Sequence, residues 1–411
     1  MVDPDTSFTI IQPYTNRFTH VDVSLGKENV NQFTKLFQQS VWHDLRSLKL
    51  KHPADAFDVD LFPLQVPPHL HTLDLSEVMP LTWDIPELFR NLRTLKLTAS
   101  HAAAMKITLP VFLDVLDACV VLESFSLTIL SDHSSMSPDN YRPAHPLRLV
   151  RLNSLSYLCL DICRYQDVEH LMLHLVIPES THVHLSFGDS FAKVNPLHCF
   201  NSTSHSHLRF LEAMTSIRIS RNKYFSILMS ASHDGHTDQP CFTSQVGRRE
   251  VYMDPWVLGS LLEVGTVFPH SRLTKLELYF SSQHLRNITR KNWIAVLPHL
   301  PHLTTLRLAR APPSTTDYRH SKEESEDIDP DCGILDDSEY YIPLLTALVV
   351  PQSITHRPTL VPFLRRLDFE DPVPLSDGLK LAMYQCVVSR RAMLADPAQF
   401  QLTVGGSASR E

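Results

Sequence analysis

The stretch Leu92-Arg-Thr-Leu-Lys-Leu97 has apolar residues at its first, fourth and sixth positions, and this hexad recurs along the chain. Its alternating second half is typical of a β-strand with one buried face, because successive side chains of a strand point to opposite sides. Weaker copies lie at 183–187 and 345–350, and a further one is predicted near 224–229. The clear copies begin at Phe18, Leu45, Leu70, Leu92, Leu122, Leu155, Met214, Leu273, Leu303 and Leu364.

The spacing of the copies indicates a repeat protein. From Phe18 to Leu155, consecutive copies begin 27, 25, 22, 30 and 33 residues apart, close to the roughly 20 to 29 residues of leucine-rich repeats. Helical spacing of apolar residues separates several copies, as at 110–120. Further helices are predicted at 29–39, 167–176, 254–268, 292–300 and 377–392, with Asp or Asn near their starts as caps.

A strand followed by a helix, repeated many times, predicts stacked units that share one core. We therefore expect an α/β fold: an irregular leucine-rich-repeat solenoid over 18–404, with a curved parallel sheet on its concave side and helices on its convex side. Residues 1–17 are expected to form an N-terminal extension and residues 405–411 a disordered tail. The Asn or Cys that usually follows the hexad is missing, so the turn after each strand must be satisfied by other groups.

Two polar segments, 230–250 and 312–340, are predicted to be insertion loops. The second carries nine acidic residues between 323 and 339, and such a composition does not collapse into a core. It is either a solvated loop or a docking arm for a basic partner.

Composition argues against several classes of partner. A net charge of −8 gives no electrostatic reason to bind nucleic acid or an anionic membrane. No apolar run approaches the roughly 20 residues that span a bilayer, and the acidic start of the chain is unlike a secretory signal. Seven scattered cysteines without a Cys-x-x-Cys pair favour a reducing compartment, so we expect an intracellular protein, cytoplasmic or nuclear.

The fifth residue of each hexad is predicted to lie on the concave face, next to the fifth residues of neighbouring copies. Beginning with Asp22 and Lys49, these residues alternate in charge over four copies, which either neutralises the row and holds the strands in register or forms a recognition strip. If the row is a recognition strip, its less charged centre is the expected anchor, because tyrosines dominate interface energetics. This centre comprises Ser124, Ser126, Tyr157, Cys159 and Tyr279. The predicted partner-binding residues are Lys49, Asp74, Lys96, Ser126, Tyr157, Cys159, Glu277, Tyr279, Arg307 and Asp368.

The sequence offers no signature of an enzyme, a cofactor site or a complete metal site. It lacks Gly-x-Ser-x-Gly, a phosphate-binding glycine loop ending in Lys-Ser or Lys-Thr, and Gly-x-Gly-x-x-Gly. Of its histidine pairs, only the loop set His233, His236, Asp238 and Cys241 is placed to converge on a metal, and binding would need a fixed geometry. We therefore predict a non-enzymatic protein without cofactor or metal.

Alternation of the hexads with helices, as in 115–127 and 293–308, resembles the irregular leucine-rich repeats of fungal F-box proteins. In that family the repeats bind a substrate, while an amino-terminal F-box of about 40 residues docks on the Skp adaptor of a cullin ubiquitin ligase. The resemblance covers 18–404 and implies substrate recognition for such a ligase. Residues 1–44 show no F-box, so the chain is either part of an F-box protein or a free-standing repeat scaffold or inhibitor without a link to ubiquitin.

Overall fold

The structure is a computed structural model that describes residues 11–26, 28–52, 57–59, 66–80, 83, 85–100, 108–129, 148–162, 164–187, 197–200, 208–221, 227–232, 241–246, 254–268, 272–280, 288–309, 340–349, 361–369, 376–393 and 397–404. It is an α/β structure with mostly parallel strands, as the hexads predict. The chain divides into two compact units, Met1–Phe191 with Ser202–Phe210, and Ala192–Asn201 with Leu211–Glu411. A single repeat domain over 18–404 stays a prediction.

The first unit contains seven parallel strands in the order β1-β2-β4-β6-β7-β9-β11. Strands β3 with β5 and β8 with β10 form separate parallel pairs. The strands are β1 (His20–Ser24), β2 (Ser47–Lys51), β3 (Phe57–Val59), β4 (Thr72–Ser76), β5 (Val78–Pro80), β6 (Thr94–Ala99), β7 (Ser124–Ile129), β8 (Val150–Arg151), β9 (Tyr157–Ile162), β10 (Leu175–Val176) and β11 (His182–Phe187). The helices are α1 (Val30–Gln39), α2 (Pro86–Phe89), α3 (Leu109–Ala118) and α4 (Tyr165–His174), after the 3₁₀ helix Gln12–Arg17.

The second unit contains seven strands in the order β14-β13-β12-β15-β16-β17-β18. They are β12 (Ser216–Arg221), β13 (Ile227–Ser232), β14 (Phe242–Val246), β15 (Lys275–Tyr279), β16 (Thr305–Ala309), β17 (Arg366–Phe369) and β18 (Gln401–Val404). The helices are α6 (Asp254–Val267), α7 (Arg290–Val296), α8 (Ile342–Leu348) and α9 (Asp377–Arg391), with 3₁₀ helices at His198–Phe200, Leu297–His299 and Pro397–Gln399. The short helix α5 (Arg209–Glu212) lies at the change of unit along the chain.

The hexads supply the core. From Leu45 to Leu364, the first, fourth and sixth residues of every clear copy are at most 3 % exposed. In the first copy Phe18, Val21 and Val23 are only half-buried, since β1 pairs with a neighbour on one side alone. Burying three large apolar side chains per copy stabilises the stack, at about 1.5–3 kcal/mol for each fully buried side chain.

The same backbone contact joins successive hexads. The N–H groups of Arg93 and Thr94, the second and third residues of one copy, both donate to the carbonyl of His71, the second residue of the copy before it, at 2.8 and 2.9 Å. The contact recurs at the carbonyls of Thr19, Arg46, Arg93, Glu123, Thr215, Thr274 and Thr304. Because successive copies within each unit, from Phe18 to Leu155 and from Met214 to Leu364, are fixed at the same two residues, the hexads of a unit enter the sheet in one register.

The turns after the strands are satisfied by backbone groups. The N–H groups of Leu25, His52 and Glu77 donate to the carbonyls of Lys51, Ser76 and Thr98, each at the end of the next hexad strand. These contacts replace the side chain that usually follows a leucine-rich hexad.

Three sequence predictions are wrong in detail. The copy predicted at 345–350 is helical as far as Leu348, because Leu344, Leu345 and Leu348 form the buried side of α8, which has Pro343 in its first turn. The predicted loop over 230–250 is in part strand, since it contains the end of β13 and all of β14. The third wrong prediction is that all strands are parallel. Strand β13 pairs antiparallel with β12, because the five residues 222–226 are too few for a parallel crossover.

Helix starts also differ from the expected caps. Helix α7 is capped by Thr289, whose side chain accepts from the N–H of Asn292 in a capping box. Ser376 accepts from Leu379 at the start of α9, whereas Asn29 makes no side-chain cap bond at α1. In the described part of the chain, no helix combines the length and the apolar content that crossing a membrane requires.

The alternation of buried and polar positions on β6 makes a direct prediction. Replacing fully buried Leu95 by alanine should lower the free energy of unfolding by about 2–5 kcal/mol, because a cavity is left in the core. Lys96→Ala, one residue along the same strand and exposed, should change it by about 0.5 kcal/mol or less. Urea unfolding of both variants measures the difference, and equal losses would contradict the assigned faces.

Candidate functional site

The fifth residues of the hexads form two rows of directly opposed residues, one in each unit. In the first unit the row is Asp22, Lys49, Asp74, Lys96, Ser126, Cys159 and His184. In the second unit it is Thr243, Ser230, Arg218, Glu277, Arg307, Asp368 and Thr403. The predicted in-register alignment of these positions is confirmed within each unit, and we call the two rows the first and second polar rows.

Charges of both signs share the start of the first polar row. Lys96 is exposed and Asp74 is half-buried. Asp22 is paired with Lys51, which lies two residues beyond Lys49 on β2, with Nζ 3.7 Å from Oδ1. Each side chain of this ion pair is more than half exposed, so the pair contributes about 0–1 kcal/mol. Charge alternation is therefore a weak source of register here, compared with the backbone contacts.

The other end of the first polar row carries hydroxyl, thiol and imidazole groups. Cys159 lies opposite Ser126 on one side and His184 on the other. Burial raises the pKa of the Cys159 thiol, against hydrogen bonds to Ser126 and Tyr157 that lower it. A raised pKa keeps the group a neutral thiol at pH 7, and a thiol is a poor nucleophile. This cluster therefore presents polar groups for hydrogen bonding, with Tyr157 exposed beside it.

In the second polar row, Glu277 is fully buried and accepts from three cations. Its Oε2 lies 2.9 Å from Arg218 Nε, and its Oε1 lies 2.8 Å from Lys275 Nζ and 3.2 Å from Arg307 Nη1. Burial raises the pKa of Glu277, but the hydrogen bonds and charges of Lys275 and Arg218 outweigh it, so the pKa stays below its ordinary value. The buried carboxylate thereby fixes cationic groups from three adjacent strands.

Tyr279 lies between two of these cations. The Cζ atoms of Arg218 and Arg307 are 5.0 and 5.6 Å from the centre of its ring, within the range of cation–π attraction. Since Arg218 is on β12, Tyr279 on β15 and Arg307 on β16, the contact orders side chains across three strands.

Asp368 continues the row on β17. Its Oδ2 accepts from Arg366 Nε at 2.7 Å, whereas its buried Oδ1 has no hydrogen-bond donor among the described residues.

The turn before β17 is held by Arg390 of α9, a buried guanidinium that donates to the carbonyl of Val361 at 3.0 Å. Val361 has a φ of 46°, which a β-branched residue rarely adopts, so this contact stabilises an unfavourable backbone conformation that positions the strand.

The structure brings all ten sequence-predicted partner-binding residues onto strands in the two polar rows or directly beside them, at Tyr157 and Tyr279. Two further cations, Lys275 and Arg366, lie beside the second polar row at the third hexad position. The charge pattern of the fifth positions does not predict them. Of the loop set that was weighed as a metal site, His233, His236 and Asp238 lie outside the described residues. Cys241 is buried, with its Sγ 3.6 Å from Met214 Sδ.

Among the described residues, no cluster of three or more His, Cys, Asp or Glu side chains is placed to hold a metal ion. The acidic residues 323–339 lie outside the described residues, so the two interpretations of that segment stay open.

Comparison with known protein families finds no match to this chain, and no curated protein is similar to it. The resemblance to F-box repeat proteins therefore depends on the hexads and the helices between them.

The environment of Glu277 predicts an acid-dependent contribution to stability. Glu277→Gln should lower the free energy of unfolding at pH 7 by about 1–3 kcal/mol, since hydrogen bonds to a buried charge are weakened. Because the folded pKa is below the ordinary value of about 4.3, this contribution is present above that pH and is lost as the pH falls through the folded pKa.

Urea unfolding of wild type and variant at pH 7 and pH 3.5 measures this loss. The control is Glu123→Gln, whose ion pair with Arg93 at 2.8 Å is half-exposed and should contribute about 1 kcal/mol or less. A Glu277→Gln variant as stable as wild type at pH 7 would show that the carboxylate does not organise its neighbours.

Thiol reactivity tests the chemistry of the Cys159 cluster. Burial raises the pKa of Cys119 to about 12 and that of Cys386 to about 11, so neither should react with iodoacetamide in the native protein at pH 8. Cys159, half-buried and with a raised pKa, should react more slowly than free cysteine. Mass-spectrometric mapping gives the rates, and labelling of Cys159 faster than free cysteine would indicate an activated nucleophile.

Proposed function

We propose that this chain is a leucine-rich-repeat module that binds another protein through the two polar rows. The observation that carries the proposal is the division of each hexad strand into a buried apolar face and a polar face in strict register. Every strand of the polar face offers side chains that differ from those of its neighbours, which is the property of a recognition surface.

The dimensions of the polar face favour a macromolecular partner. Seven parallel strands at about 4.8 Å place the ends of the first polar row roughly 29 Å apart. Interfaces of that width are typical of protein complexes, which bury about 800 Å² on each partner. Exposed Tyr157, next to half-buried Cys159 and near exposed Lys96, offers an aromatic anchor with charged surroundings.

We extend the proposal to the finer architecture, a solenoid with a curved sheet. The recurrence of one backbone contact between successive hexads supports it, because repeats with identical neighbour contacts stack with a constant rotation. Compartment belongs to the same proposal: Cys119, half-buried Cys159 and Cys386 are free thiols, as expected in a reducing intracellular environment.

Within this function, recognition of substrates for a cullin ubiquitin ligase is the first candidate, and a free-standing scaffold or inhibitor is the second. The resemblance of the hexads to those of F-box proteins favours the first. The two differ in the proteins that accompany the bound partner, since only the first requires the Skp adaptor and a cullin.

Quantitative affinity purification from the source cells tests both levels of the proposal. The face variant Lys49→Glu/Lys96→Glu/Tyr157→Ala should lose at least one partner by about tenfold or more. The matched control, Lys35→Glu/Arg90→Glu/Tyr14→Ala, makes the same change of charge and removes one tyrosine at exposed residues outside the polar rows, and it should retain that partner.

Identical recovery with the face variant and with wild type would contradict binding through the first polar row. Skp adaptor and cullin among the proteins that wild type retains would support the ligase candidate. A face-dependent partner without them would support the scaffold or inhibitor.

A further inference from the structure

The second unit arranges its charges in two layers. On β12, β15, β16 and β17 the polar face carries four cations and two carboxylates, a difference of +2 (4 − 2). Glu277 and Asp368 are 0 % and 6 % exposed, whereas the side chains of the cations remain 26 to 56 % exposed. The cations are Arg218, Lys275, Arg307 and Arg366, and we call them, with Tyr279, the basic patch. Solvent therefore meets positive charge, although the whole chain has a net charge of −8.

The cations of the basic patch are ordered before any ligand arrives. Glu277 fixes one nitrogen each of Arg218, Lys275 and Arg307, and the ring of Tyr279 lies between the two guanidinium groups. Ordered guanidinium groups lose little side-chain entropy on binding, and they match the planar geometry of carboxylates.

We propose that the basic patch binds an acidic segment of a protein partner, with Asp or Glu side chains two residues apart. The proposal rests on the protein-binding function above and names the chemistry of the partner. Arg218 Nε and Arg307 Nη1 bind the same carboxylate at 2.9 and 3.2 Å, so these two nitrogens lie within about 8 Å of each other, and an extended peptide places side chains two residues apart on one face at about 7 Å. Repulsion by the anionic remainder of the chain directs such a segment to this patch.

The patch is a poorer match to nucleic acid. Four cations are fewer than the 6–10 phosphate contacts that are typical of DNA-binding proteins. Single strands also need aromatic rings on which bases stack, and Tyr279 is already flanked by two guanidinium groups.

Fluorescence anisotropy with the full chain tests the proposal. The probe is a labelled twelve-residue peptide of alternating Asp and Ser, and the comparison probe has Asn for Asp. The acidic probe should bind, more weakly as salt rises, and Arg218→Gln/Arg307→Gln should weaken it by about tenfold or more. The control Arg46→Gln/Arg151→Gln removes two exposed arginines of the first unit and should change the dissociation constant by less than about twofold.

A second variant guards against unfolding, because the double substitution leaves Glu277 with Lys275 alone. Arg218→Gln/Glu277→Gln/Arg307→Gln removes the buried charge together with its partners and should also lose the acidic probe. Equal binding of the two probes, no binding of either, or full binding by both patch variants would each overturn the proposal. So would a single-stranded oligonucleotide of equal charge that binds more tightly than the acidic probe and is lost with the same substitutions.

Two further experiments distinguish competition by the chain's own acidic segment from failure of either proposal. In one, the nine acidic residues of 323–339 are replaced by Asn and Gln. If the acidic probe binds only this variant, the chain's own segment competes for the patch and the proposal is overturned.

In the other, the result of the affinity purification is compared with that of the anisotropy. If the acidic probe does not bind but the purification finds a partner that the face variant loses, only the basic-patch proposal is overturned. If the probe binds but no partner is lost with the face variant, only binding through the first polar row is contradicted.

Discussion

Within each unit, successive hexads are joined by the same backbone contact, in which two successive N–H groups donate to a single carbonyl. The contact leaves no freedom of register, and a slip of one residue would turn the leucines outward. Everything else in the structure depends on it: the core, because apolar residues of neighbouring copies meet, and the polar rows, because fifth residues oppose fifth residues. Threonine side chains strengthen it in the second unit, where Thr304 Oγ1 donates to the carbonyl of Thr274 at 2.9 Å.

The same backbone contact, within each unit, underlies two different surfaces. The first polar row is a mixed surface of both charges, hydroxyl groups and a neutral thiol, whose ion pair at Asp22 contributes little. In the second, a fully buried carboxylate holds three cations and so converts a self-neutralising row into a positive surface. The two interpretations of the charge pattern, neutralisation and recognition, are therefore compatible: neutralisation below the surface at Glu277 orders the groups proposed for recognition above it.

Much of this was predictable from the sequence, because leucine spacing is a local signal. Strands β2, β4, β6, β7, β9, β12, β15, β16 and β17 follow directly from the hexads. The helix at 342–348 was missed because leucines at 344, 345 and 348 fit both periods, and the β12–β13–β14 arrangement because antiparallel pairing depends on link length. For the site, the sequence predicts which residues face outward. It does not predict that Glu277 is buried under three cations, which depends on side-chain packing across strands.

Cross-linking between neighbouring strands of the first polar row measures their register. Directly opposed residues of adjacent strands lie about 4.8 Å apart, within the span of a disulfide. In a Ser126→Cys variant, mild oxidation should link residue 126 to Cys159, its partner in the register, as mapped by mass spectrometry. Ser124 and Thr128 lie on the same face of β7, two residues before and after Ser126. Ser124→Cys and Thr128→Cys should therefore link to Cys159 far more slowly. Preferential linkage from position 124 or 128 would contradict the register and, with it, both polar rows.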